Sequence, residues 1–538
     1  MSKAKVIYNN VAFESAEKFE ISADDKADFS NLESLKNQSP TALGYGNPCD
    51  LYSVILDGSL EPIINNIYFW SEQISNEDGV FEEPVIIILE SEEKFISSGL
   101  KFVFDNTNNI FATKIGIDYY SDGEIIASSV FNPTSCDFYA EKTVELYDKI
   151  VVKFYSMNYP FSRLKVKSII QGNDVVFEGN QLLNVSIDQQ MDLVSAELPI
   201  STCQIDLKSK KQYVFQKGQR LDVLFDGERK GTFFVKKATK KGNGSYSIQC
   251  EDQIGILENS NFEGGIYYNK LATDVINDIS KASGVTIYFS KDIYGKKING
   301  HIPFGSCRNA LMLVLFSIGF VAKTSNRDGV FLFPLNDDTV GEISRDFVFS
   351  GDKISEKDYV SLIDMNYHEY TYDPKSVVVY EASKSGIGEN IFIRFSEPMH
   401  NVYVKDGDIL EFSANHCIIN AREGCVVDGY KYTHSVFSKK ISNTKIPSFY
   451  KNKTISINNA TLIGKENVDN ALETCYNILT KREEISCKIK ESTFVDLGDL
   501  FIIPTTQGKF LFRVYSQKYN LNGNSIFKEL KGVCYARV

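Results

Sequence analysis

Residues 218–237 read GQRLDVLFDGERKGTFFVKK, a strand, a turn and a returning strand. Residues 498–518 read GDLFIIPTTQGKFLFRVYSQK and say nearly the same thing. The agreement extends outward on both sides. Upstream stand two alternating strands with a central cysteine, ISTCQIDL (Cys203) and EISCKIKE (Cys487). Each leads through a polar connection to a phenylalanine, then a glycine (Phe215 to Gly218, Phe494 to Gly498). An apolar strand follows, then a turn closed by Gly231 or Gly508, then an aromatic return strand, TFFVKK or KFLFRV. A glycine-bearing turn, KKGNGS or NLNGNS, opens a final strand. Six matching elements in succession predict a duplicated β-domain. Three such chains would supply six copies to a ring.

The totals fit that reading. At 538 residues the chain exceeds what one core can organise, so several domains are expected. Twenty-nine Tyr and 37 Phe suit pleated surfaces. A net charge of -12 argues against general nucleic-acid binding, which needs a basic surface. Ten cysteines stand singly, without a CxxC pair, and read as buried reduced thiols rather than zinc ligands or disulfides. The N-terminus lacks an apolar signal core. The longest apolar run, residues 310–322, is too short for a bilayer and reads as a buried helix, so a soluble protein made in a bacterial cytoplasm is expected.

Along the chain, residues 1–45 read as a polar arm or lead-in. Residues 46–162, from DLYSVILDG through PVIIILES, LKFVFDN and DKIVVKFYSM, show short alternating runs spaced like a β-sandwich, with Asp122-Gly123 at a hairpin tip. Residues 163–258 hold the first copy of the repeat. Residues 259–345 form a small α/β insert, where Leu271, Val275, Ile276, Ile279 and Ala282 keep helical spacing before Gly284. Residues 346–538 hold the second copy, with a helix near 468–479 and an irregular insertion at about 380–450.

The stretch 165–345, with FQKGQRLDVLFDGERKGTFFVKK, IQCEDQIGILENSNFEGGIYYNKLATDVIND and RNALMLVLFSIGFVAKTS, resembles baseplate-hub or tail-tip proteins of phage tails and tail-like particles. The stretch DLGDLFIIPTTQGKFLFRVYSQKYNLNGNSIFKELKG resembles the closing domain of that family. The resemblance covers about 370 residues and carries no catalytic signature. It implies two related tube-like β-barrel domains, which with the N-terminal β-sandwich and small α/β insert read above make a multidomain, mainly β protein. It further implies a homotrimeric virion ring that adapts a sixfold tail tube to a threefold tip or spike. Implied partners are the chain itself, the tube protein, and spike, tape-measure or other baseplate proteins; no membrane, specific nucleic acid or cofactor is expected. The first domain, with SSGLKFVFDNTNNIFATKIGIDYYSDGEII, is similar to discoidin-type sandwiches. That likeness implies either docking within the particle or recognition of a cell-surface glycan. The alternative function is accordingly a receptor- or glycan-binding tail protein.

No catalytic constellation is visible. The five histidines, His301, His368, His400, His416 and His434, lack metal-site spacing, and neither a GxSxG elbow nor a P-loop occurs. A non-enzymatic chain without a metal site is expected. Two groups of residues stand out as candidate contacts. Arg229, Lys230, Lys236, Lys237, Lys240 and Lys241 form a basic cluster in an acidic chain, facing solvent, a ring lumen or an acidic neighbouring subunit. Trp70, Tyr119 and Tyr120 are candidates to stack on a sugar, or else members of the core.

Overall fold

The computed structural model describes residues 4–11, 18–27, 30–36, 68–104, 109–381, 390–447, 450, 453–490, 494–522 and 525–538. The expected strand at DLYSVILDG (50–58) and Cys49 lie outside these residues. The chain divides into two compact units: residues 7–177 with 218–221, and residues 1–6, 178–217 and 222–538.

Among the described residues the first unit is mainly β, with a short 3-10 turn at Leu32–Lys36. Its two longest strands, Val80–Phe104 and Asp137–Met157, pair antiparallel and are broken by bulges near Phe95 and Ser97. A bulge bends and twists a strand, which lets one long segment turn with the core. Ala112–Ser121 and Glu124–Phe131 form the expected hairpin, with Asp122 and Gly123 both at positive φ. Phe154 meets the stacked Phe102 and Phe104 edge-on in the core. Two expectations shift. The lead-in contains the strand Ala4–Val11, and Phe19 and Leu35 join the sandwich core. Arg163–Glu178 pairs with Val80–Phe104, so the unit ends near 177 rather than 162.

The second unit contains the repeat. Its first copy comprises β1 (Leu182–Gln190), β2 (Thr202–Lys208), β3 (Arg220–Phe225), β4 (Glu228–Lys241) and β5 (Ser245–Glu251). The small α/β insert follows, with α1 (Gln253–Asn259), α2 (Ala272–Ser283) and α3 (Cys307–Ile318). Asp252 caps α1 by accepting the Ile254 N–H. Gly284 and Gly319 end α2 and α3 in left-handed geometry. The run 310–322 expected as a buried helix is therefore helix to 318 and then a strand, Phe320–Lys323. Among the described residues, no helix is long and apolar enough to cross a membrane.

The second copy comprises β6 (Lys353–Glu356), β7 (Glu483–Lys490), β8 (Leu500–Thr505), β9 (Gly508–Asn522) and β10 (Ser525–Arg537); α4 (Val468–Leu479) precedes β7. The insertion is not irregular. Leu362–Glu381, Asn390–Arg394, Met399–Phe412, His416–Ser442 and Thr454–Ile457 form a five-stranded sheet of their own. Bulges after His400 and Lys405, with Asn401 and Asp406 at positive φ, gave this stretch the punctuation of a loop.

Candidate assembly interface

The two copies share one ladder plan. In the first, β5 lies between β2 and β4: Cys250 faces Cys203 on one side and Val235 on the other. In the second, β10 lies between β7 and β9: Gly532 faces Ile485 and Val514. Each return strand is bulged at the same point, immediately after Val235 and after Val514. β1 flanks β2 as β6 flanks β7, with Ile187 opposite Cys203 and Ile354 opposite Ile485. The ladders thus equate Cys203 with Ile485, and Cys487 with Ile205. The two cysteines that aligned in the sequence are displaced by two residues, which keeps them on the same face of the sheet.

The turns also differ from expectation. The first hairpin turns at Asp226 and Gly227, with φ of 51° and 85°, the geometry of a type I′ turn. Gly231 lies inside β4 instead, where a Cβ would stand 2.6 Å from the Phe233 ring. Across this hairpin, Asp222 accepts from the Thr232 hydroxyl at 2.6 Å and pairs with Arg229 at 3.2 Å.

The copies are joined edge to edge. β1 of the first copy pairs antiparallel with the far half of β9, from Gln190 opposite Ser516 to Val185 opposite Leu521. The near half of β9 pairs with β8 up to Arg513, so its bulge marks where one partner ends and the next begins. This joint is polar at its centre, where the Gln517 amide nitrogen is shared between two acceptors while its oxygen has no partner among the described residues. Gln517 donates to Gln189 at 2.8 Å and to Asp496 at 3.2 Å. Gln189 donates to the Lys230 carbonyl at 2.9 Å. Asp496 pairs with Lys323 at 2.8 Å and accepts the Ser325 hydroxyl at 2.6 Å. Burial alone would raise the Asp496 carboxyl, but Lys323 and these hydrogen bonds hold it below its usual value. Such a network fixes register, because any slip leaves buried groups without partners.

The basic cluster is two groups with different roles. Arg229 and Lys230 sit near the hairpin tip and pair with Asp222 and Glu228. Lys236, Lys237, Lys240 and Lys241 line the exposed far half of β4. Lys236 pairs with Glu251 and Lys241 approaches Asp206 at 3.6 Å, while Lys240 reaches Gln212. Intrachain acids therefore neutralise much of this charge.

The sugar-stacking residues need correction. Tyr119 is fully buried against Tyr147, and Trp70 is buried beneath the Lys165 ammonium, 4.1 Å from the ring centroid. Neither ring offers an open face to a sugar; Tyr120 alone is half-exposed.

Sequence spacing gave no sign of one further constellation. The five histidines gather in a single patch of the second unit. His368 and His434 hydrogen-bond ring to ring at 2.9 Å, and Tyr370 stacks on His434. His301 packs on Tyr370 and bonds Asn415 at 2.7 Å, beside His416, and His400 packs among Tyr372, Tyr430 and Tyr432. Burial lowers the pKa of His301, His368 and His434. Donor atoms of Glu263, Glu411 and His416 lie within 4.8 Å of one another. Ser413 Oγ accepts the N–H groups of Asn415 and His416 and lies 2.8 Å from His416 Nδ1, while His416 Nε2 lies 3.3 Å from Glu411.

No family model matches the chain, and no curated protein matches it. Among solved structures it is similar to a 43 kDa tail protein of prophage MuSo2 from Shewanella oneidensis, at 10% identity and TM-score 0.42, over 67% of this chain and 94% of that one. It is similar to a tail protein from Neisseria meningitidis at 10% and 0.42, over 66% and 93%. Prophage tail protein gp18 from Listeria monocytogenes matches at 7% and 0.40, over 67% and 91%. These three are tail proteins, and an E. coli component of the type VI secretion system, described as similar to T4 tail proteins gp27 and gp5, also matches at 7% identity and TM-score 0.34, over 66% of this chain and 74% of that one.

Proposed function

We propose that the chain is a structural component of a phage tail or tail-like particle, a homotrimeric hub whose six β-copies adapt a sixfold tube to a threefold tip. One observation carries this reading: the chain holds two copies of one ladder plan, already joined edge to edge by β1 and β9. A unit that repeats within a chain and continues its own sheet is suited to ring assembly, because closure removes edges that would otherwise aggregate. The work done is mechanical. Affinity comes from repeated interfaces rather than from a reacting group, and the histidine patch, stacked on tyrosine rings, fits a packing role. The partners would be the chain itself, the tube above and tip proteins below. Native mass spectrometry of the purified chain, with imaging of particles, tests the reading. Three copies on the particle axis are expected. A stable monomer found in no particle would overturn it.

A further inference from the structure

The second unit uses only half of the edges that its own plan makes available. In the joint, the outer edge of β1 meets the far half of β9. The equivalents of these two edges are β6 and the far half of β4. β6 has β7 as its ladder partner, and beyond Val235 β4 has β5; among the described residues no other strand pairs with either. In β9 the bulge after Val514 marks the change of partner from β8 to β1. β4 carries the same bulge after Val235, with no second strand beyond it. The far half of β4, residues 236–241, lies in solvent, as do three of the four β6 residues.

We propose that β6 of one chain adds to the far half of β4 in the next, repeating between chains the joint that β1 and β9 make within one. This deepens the ring reading above and rests on it. The occupant is a second copy of this chain, because the intrachain joint is the template for both edges. The contact is heterologous, with unlike edges meeting, so each chain gives one edge and receives the other. If each step repeats the rotation of the intrachain joint, three chains close six copies into one ring.

The register carries over from the ladders. Lys518 lies opposite Asp188 in the joint. Lys518 is two residues past Ser516, the first residue paired after the bulge, and Thr239 stands two past Lys237. Asp188 faces Thr202, which precedes Cys203, and Ser355 faces Glu484, which precedes Ile485. Thr239 of one chain therefore lies opposite Ser355 of the next. The lysines flanking Thr239 protect this edge from indiscriminate strand addition until the matching edge arrives.

Both residues are exposed, and the cysteines among the described residues are buried, so paired thiols test the seam directly. Chains carrying Thr239→Cys and chains carrying Ser355→Cys are co-expressed and mildly oxidised. A product of twice the chain mass should appear on a denaturing gel, and neither variant alone should give it. A trimer by native mass that yields no linked product in the mixture overturns the seam but leaves the ring reading standing. Linkage of either variant to itself also overturns the seam, since like edges would then meet. A chain that remains monomeric, both free and in particles, removes the seam and the ring together.

Discussion

Single residues here act through burial, and two of them give opposite lessons about charge. Asp252 is completely buried as the cap of α1, with Thr324 donating at 2.7 Å. Burial outweighs its hydrogen bonds and raises its pKa from 3.8 to about 6. A carboxyl raised on folding stabilises below its unfolded pKa and loses that contribution as pH climbs through the folded value. Between about pH 4 and 6 this one group should cost about 3 kcal/mol of stability, roughly two units at 1.4 kcal/mol each. Asp252→Asn keeps the acceptor and removes the titration. Urea unfolding across that window should show the wild-type chain losing stability relative to the variant; parallel curves would contradict the assignment. Arg513 lies in the aromatic return strand KFLFRV and is fully buried. It donates to the Gly498 carbonyl at 2.9 Å, the Asn336 carbonyl at 2.7 Å and the Tyr535 hydroxyl at 3.0 Å. Asp337, its ion-pair partner, is largely exposed, so the carbonyls matter more. Arg513→Met should cost about 2–6 kcal/mol by urea titration, from two buried acceptors at roughly 1–3 kcal/mol each. A change below 1 kcal/mol would mean that water replaces the guanidinium.

Elements were legible where their signals are local. α2 and α4 follow from helical spacing of apolar residues, and the Asp122-Gly123 turn follows from a residue pair that tolerates positive φ. The five-stranded insertion sheet was not legible. Its strands are exposed along much of their length, so alternation fades, and bulges at Asn401 and Asp406 imitate loops. The cysteine alignment failed for a related reason: a period of two gives the same pattern after a slip of two residues. The equivalence of Gly532 and Cys250 shows what such a pattern conceals. A Cβ at Gly532 would collide with the Phe512 ring and the Arg513 carbonyl oxygen. Gly532→Ala should therefore destabilise by about 1–3 kcal/mol, the usual cost of overpacking. Thermal unfolding checks it, and an unchanged melting temperature would mean that Phe512 has room to move.

At the scale of the whole molecule, duplication turns a chain of ordinary hairpins into one that can propagate a sheet. Under the hub reading, particles made with residues 1–160 deleted should assemble or fit poorly, seen as fewer intact particles by electron microscopy. Normal particles that fail only to adsorb to cells would instead support recognition by the sandwich, through residues other than the buried Trp70 and Tyr119. The sequence by itself determined the β-rich class, the position of the α/β insert and the existence of two related hairpins. These rest on periodicity and turn chemistry, which act over a few residues. Only the tertiary structure decided that β1 bridges the copies, that five histidines spread over more than 130 residues share one patch, and that among the described residues the far half of β4 has no second strand beside it. Those facts depend on contacts between distant segments, where many registers satisfy the same alternation. Buried polar contacts such as Gln517 to Gln189 and Gln189 to the Lys230 carbonyl favour one of those registers, because a slip would break them.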